Sequence, residues 1–246
     1  MTSTWTIPPA PGRTYRAALF DLDGVLTPTA EVHMKAWAAM FTEYFLRHGI
    51  TPAYTDADYF AYVDGKPRYD GVDACLRSRG VELPWGDPSD PPGAETVCGI
   101  GNVKNDAFMA VLRAEGVAPY PGSAKLVHHL RATGVPVAVV SSSRNATEVL
   151  AAAGLSPEFE VVVDGNTVAT EGIAGKPAPD MFELAARRLG VATADAVVIE
   201  DAFSGVQAGA AGDFALVVGV DRGAGAQALL DNGADIVVND LEELMG

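Results

Sequence analysis

Residues 16–29 read RAALFDLDGVLTPT. The run from Arg16 to Phe20 is short and apolar and stops at Asp21, as a buried strand does. Asp21 and Asp23 then stand one residue apart. The period of an extended chain turns Leu22 to the other side, and Gly24 permits a turn.

Downstream of this stretch a helix starts after Thr29, with Trp37, Met40, Phe41, Tyr44 and Phe45 at helical spacing and an end near His48-Gly49. From Thr51 to Glu115 the texture is acidic and poor in β-branched runs. Helical segments are expected over 71–79 and 105–114, with an exposed loop, LPWGDPSDPPG, from Leu83 to Gly93. After Pro121 the pattern becomes regular. Strands are expected at 135–140, 159–163, 196–199, 215–220 and 236–238. Helices are expected at 123–131, 146–153, 180–189, 204–211 and 225–230, and a last short helix closes the chain. Continuous apolar strands alternating with helices imply an α/β fold, a parallel sheet covered on both faces. The domain expectation is a core of residues 16–30 and 117–246, a helical insert at 31–116 after the first strand, and a mobile N-terminal arm at 1–15 with Pro8, Pro9 and Pro11.

The 246 residues are 48% hydrophobic, enough for a globular core with an insert. With 17 Lys+Arg against 32 Asp+Glu the net charge is -15, which argues against a nucleic-acid or anionic-membrane partner. An anionic small substrate stays compatible, because a few cations can reverse the field inside one cleft. No apolar segment is long enough to span a bilayer. Cys75 and Cys98 make no disulfide framework, and the first residues lack an apolar signal core; the expectation is a cytoplasmic protein.

Ligands of open α/β sheets bind outside the carboxyl ends of the strands. Asp21 and Asp23, then Ser141, Ser142 and Ser143, then Glu200 and Asp201 all fall at such ends, and Lys176 lies in the loop GKPAPD before a helix. Taken singly, VVSSSRN is a good helix N-cap and GKPAPD a turn with Pro at a helix start. In this order, each after the right element, they point to one cleft. Its carboxylates would repel unless a cation sat among them, and oxygen-only ligands suit Mg²⁺ rather than Zn²⁺. Serine hydroxyls, adjacent amides and Lys176 suit a phosphoryl group, and one carboxylate can act as nucleophile.

The set DLDGVLT, SSS, KPAPD and VVIEDAFSG resembles the haloacid-dehalogenase-like phosphotransferases, and within them the β-phosphoglucomutase-like branch. The resemblance implies a Rossmann-like (HAD-like) core with a small helical cap inserted after the first strand. It implies Asp21 as nucleophile, Asp23 as general acid and base, and Ser141 with the Ser142 amide and Lys176 on the transferring phosphoryl group. Asp21, the Asp23 carbonyl, Glu200 and Asp201 would serve Mg²⁺. Asn145, with Arg144 beside it, would meet the other phosphate. In the insert, Gly65-Lys66-Pro67-Arg68 is similar to the substrate-specificity loop, Lys104 in VKND matches a lysine near the sugar, and Thr29 and His33 match the pair that couples cap closure to the acid/base aspartate. His33 also shares a helical line with Trp37 and Phe41, as a packed histidine would. The implied protein is a monomer acting on a small phosphorylated sugar, as a hexose-phosphate mutase of β-glucose 1-phosphate or as a sugar-phosphate phosphatase. It departs from the family pattern at Pro28, Asp64 and Ala202 and in the length of the 83–93 loop.

Overall fold

The computed structural model describes residues 5–7 and 14–246, which fall into two compact units. One comprises the described residues up to 28 together with 117–246, the other residues 29–116.

The first unit is a parallel sheet with strands β1 (Ala17–Phe20), β2 (Val137–Val140), β3 (Val161–Val163), β4 (Ala196–Glu200), β5 (Leu216–Val220) and β6 (Ile236–Val238) in the order β3-β2-β1-β4-β5-β6. β1 lies between β2 and β4, with Phe20 opposite Val139 on one side and Ile199 on the other. The strand order reverses about β1, so this is the switch point at which open α/β sheets place their ligands. All residues of β1, β2 and β4 are buried, so both faces are covered and the strands need no polar alternation.

The helices are α1 (Thr29–His48), α2 (Asp56–Asp58), α3 (Arg68–Arg77), α4 (Val97–Glu115), α5 (Pro121–Ala132), α6 (Ala146–Ala152), α7 (Gly165–Glu171), α8 (Asp180–Arg188), α9 (Phe203–Ala211) and α10 (Ala226–Asp231). Met181, Phe182, Leu184 and Ala185 of α8 and Val206 and Ala208 of α9 bury against the strands. Thus a Rossmann-like α/β core carries a helical insertion after its first strand.

Three helices differ from the sequence expectation, among them the unexpected single turn α2. α4 begins at Val97, eight residues before the expected 105. Thr96 caps it by accepting from the Gly99 amide, and a Cβ on Gly101 would stand 2.8 Å from the Tyr69 ring. The glycines that read as a loop are there for close helix packing. α7 was not expected at all; Asp164 caps it, accepting from the Asn166 and Thr167 amides. Of the N-terminal stretch, Trp5 is buried and bridges to Met245, and the Thr6 amide donates to the Leu244 carbonyl at 3.0 Å. Pro8, Pro9 and Pro11 lie outside the described residues.

The insert has its own core. Trp37, Phe41, Tyr44 and Phe45 of α1 pack with Val72, Cys75 and Leu76 of α3 and Val97, Cys98 and Ile100 of α4. Burying a side chain the size of Phe41 contributes about 2 kcal/mol. Arg47 and His48 occupy the last turn of α1, where cations suit the helix dipole, and Gly49 at φ +64° ends it.

Candidate active site

Asp21 directly follows β1, and its amide extends the ladder by donating to the Ile199 carbonyl at 2.9 Å. That bond fixes the backbone and aims a buried carboxylate out of the sheet end. The wholly buried ammonium of Lys176 donates to Asp21 Oδ1 at 2.6 Å, to Glu200 Oε1 at 2.5 Å and to the Val140 carbonyl at 2.8 Å. One loop lysine therefore ties together the ends of three neighbouring strands. Glu200, the last residue of β4, accepts through Oε2 from the amides of Asp201 and Ala202 at 3.0 and 3.1 Å.

Burial pushes the Asp21 carboxyl well above the usual carboxylate range. Lys176 opposes the rise, and Glu200 and Asp23 add to it. Burial by itself would lower Lys176, but the carboxylates of Asp21 and Glu200 outweigh it and the ammonium is held above its ordinary value. Ligand atoms of Asp21, Glu200 and Asp201 all lie within 4.8 Å of one another. Three carboxylates here face a single ammonium, so the site has surplus negative charge, and its all-oxygen donor set fits a hard divalent cation. Gly24 is part of this fit. At φ +92° it makes the turn after Asp23, and a Cβ there would stand 1.8 Å from Asp201 Oδ2.

Asp23 is not in that carboxylate group. Its Oδ2 accepts from the Ser141 hydroxyl at 3.3 Å, next to the Ser143 amide, which donates to Ser141 Oγ at 3.1 Å. Ser142 and Asn145 are buried in the same loop. Arg144 is half-buried, and its carbonyl accepts from Asn166 Nδ2 at 2.8 Å. The unit thus places Asp21, Asp23, Ser141, Lys176, Glu200 and Asp201 at adjoining strand ends.

The insert brings together its own set. Lys104 is buried, with its ammonium against His33 Nδ1, 4.9 Å from the Trp37 ring centroid and 5.1 Å from that of Phe108. His33 is stacked on Phe108 at 4.0 Å, so it is both packed and polar. Arg68, at the start of α3, donates to Asn105 Oδ1 at 2.6 Å, and Asn105 adjoins Lys104 in sequence. Gly65 makes the turn before it at φ +67°. Thr29 is buried at the first turn of α1, one turn before His33. The sequence reading missed Asn105; its signal was a polar residue directly after Lys104 in VKND.

A doubly wound sheet that gathers a buried carboxylate, a lysine, a serine and an acidic group that could hold a cation at its switch point defines an enzyme of phosphoryl transfer. Residues 15–213 match the haloacid dehalogenase-like hydrolase family. The chain belongs to that family, in the branch that contains the β-phosphoglucomutases. It is 52% identical over 239 residues to a β-phosphoglucomutase of Mycobacterium tuberculosis, covering 94% of this chain and 91% of that one. It is 33% identical to the β-phosphoglucomutase of Bacillus subtilis, covering 93% and 91%. The β-phosphoglucomutase structure from Clostridium difficile shares the fold, with a TM-score of 0.74 at 24% identity over 94% of this chain and 93% of that one. Among the described residues no helix is long and apolar enough to cross a membrane.

Proposed function

We propose that this enzyme is a Mg²⁺-dependent hexose-phosphate mutase converting β-glucose 1-phosphate to glucose 6-phosphate through an aspartyl phosphate on Asp21. The observation that carries this reading is the pair of polar contacts inside the insert, Arg68 with Asn105 and Lys104 with His33. A phosphatase needs only water as acceptor. A mutase must hold a second phosphate and a sugar hydroxyl while the phosphoenzyme waits, and cations on a cap meet that need.

In this reading Asp21 attacks phosphorus, and the leaving sugar oxygen takes a proton from Asp23. Asp23 then accepts the proton of the other sugar hydroxyl as that oxygen attacks the aspartyl phosphate. Lys176, the Ser141 hydroxyl and the Ser142 amide hold the phosphoryl oxygens through both halves. Asp21, Glu200 and Asp201, with the Asp23 carbonyl, hold Mg²⁺, which when bound screens the phosphoryl oxygens from the carboxylates. Arg68, with Gly65 in its loop, and Asn145 with Arg144 grip the non-transferring phosphate, Lys104 meets the sugar, and Thr29 with His33 couples closure of the cap, residues 31–116, to Asp23. The buried cysteines Cys75 and Cys98 suit a reducing compartment, and we place the protein in the cytoplasm as a monomer.

The test is an assay with β-glucose 1-phosphate and a trace of glucose 1,6-bisphosphate, following glucose 6-phosphate and free phosphate together. We expect isomerisation to dominate, to vanish with EDTA and to return with Mg²⁺. Asp21→Asn should lower turnover by about 10⁴-fold and abolish labelling of the protein by radioactive phosphate. Release of free phosphate without glucose 6-phosphate would replace the mutase with a phosphatase.

A further inference from the structure

Arg222 lies two residues beyond β5, in a loop folded about the Asp221 carboxylate, which accepts from the amides of Gly223 and Gly225 at 2.9 and 3.1 Å. Its side chain does not face solvent alone. Nε donates to the Gly24 carbonyl at 2.8 Å, one NH₂ group donates to the Asn239 carbonyl at 3.0 Å, and the guanidinium lies 3.9 Å from the centroid of the Tyr120 ring. Of these partners only Gly24 adjoins the phosphoryl site described above.

The partners are informative. The Gly24 carbonyl lies one peptide beyond Asp23, in the turn where the Gly24 amide donates to the Thr27 carbonyl at 2.7 Å. Tyr120 caps α5, where the chain has just returned from the insert. The two segments are already zipped together. The Tyr120 amide donates to the Leu26 carbonyl at 2.9 Å, and the Ser123 hydroxyl to the Val25 carbonyl at 2.6 Å. Arg222 touches both from a third segment, through charge-assisted hydrogen bonds and a stacked cation. An arginine suits this place because its planar fork reaches two carbonyls while its face covers a ring; a lysine ammonium is a point charge on a flexible stem.

We propose that Arg222 is a positioning residue for Asp23: it pins the Gly24–Val25 peptide, the next one after Asp23, and the returning chain at Tyr120, and so sets where the general acid stands. The proposal rests on the assignment of Asp23 given under the proposed function. It has a chemical signature. A sugar oxygen departs poorly without a proton, whereas nitrophenolate is a stable anion that leaves without one. Displacing Asp23 must therefore slow phosphorylation of Asp21 by a sugar phosphate more than phosphorylation by p-nitrophenyl phosphate. A merely structural loss would slow both alike.

The experiment measures single-turnover labelling of the intact protein by glucose 1,6-bisphosphate and burst release of nitrophenol from p-nitrophenyl phosphate. It compares wild type, Arg222→Met, Arg222→Lys and Asp23→Asn. We expect Arg222→Met to slow the sugar donor about tenfold more than the nitrophenyl donor, as a small misplacement of an acid does. Arg222→Lys should fall between it and wild type, and it keeps the test readable if the methionine variant folds poorly. Equal slowing of both donors in both Arg222 variants, or no slowing, overturns the proposal. Asp23→Asn separates the two failures. If it discriminates between donors and the Arg222 variants do not, Asp23 keeps its role and the tie falls. If Asp23→Asn does not discriminate either, the assignment of Asp23 falls and the tie with it.

Discussion

The sheet unit and the helical insert build their polar clusters by different means. In the sheet unit the side chains are aimed by backbone. Asp21 and Ser141 are the first residues beyond β1 and β2, and Glu200 is the last of β4, so the ladder itself brings Asp21 and Glu200 to Lys176 and Ser141 to Asp23. In the insert, packing of helices brings His33 of α1 to Lys104 of α4, and Arg68 of α3 to Asn105 of α4. Lys104 sits among aromatic rings rather than carboxylates. The first arrangement is rigid and charged, as chemistry on phosphorus requires; the second relies on side-chain contacts that a change of substrate can readjust.

The sharpest way to break this comparison is Lys176→Met. It leaves Asp21 and Glu200 buried without their cation, which should destabilise the protein by about 3 kcal/mol and lower turnover by about 10³-fold. Urea unfolding and steady-state rates measure both. A milder loss than at Lys104 would erase the proposed contrast between the two units. Lys104→Ala should have the intermediate effect. We expect KM for β-glucose 1-phosphate to rise about tenfold, from a lost hydrogen bond to a charged group, with p-nitrophenyl phosphate affected no more than about twofold.

The smallest effect concerns the insert's stability. The Arg79 hydrogen bond, with help from Thr55, holds Asp58 below the usual carboxylate range despite partial burial. A depressed carboxyl stabilises the fold above its unfolded pKa, and that contribution is lost as pH falls through the folded pKa. Unfolding of the insert should therefore become easier below about pH 4, and Asp58→Asn should flatten that dependence. At neutral pH the same change should cost about 1 kcal/mol. Thermal melts over an acid series read both.

Most of the sheet unit is legible in the sequence because a buried parallel strand must be continuously apolar, and its end is marked by the first polar residue. Asp21, Ser141 and Glu200 announce themselves in this way. α7 was not legible: Gly165 and Asn166 read as loop, and its start depends on the Asp164 cap. The start of α4 was hidden by Gly99 and Gly101, which look like breakers until Ala94 is seen against the first and the Tyr69 ring against the second. The contacts of Asn105 and Arg222 were invisible in the sequence because their partners are 37 and 198 positions away.

By itself, then, the chain determined the alternation of strands and helices, the order of the polar residues at the strand ends, and the demand of crowded carboxylates for a cation. These follow from local periodicity and from charge. Only the tertiary structure decided that Lys176 bridges Asp21 and Glu200, that Lys104 lies between His33, Trp37 and Phe108, and that Arg222 reaches Gly24 and Tyr120. Those are contacts between side chains far apart in sequence. Their partners are set by how whole elements pack, and no local pattern of residues encodes them.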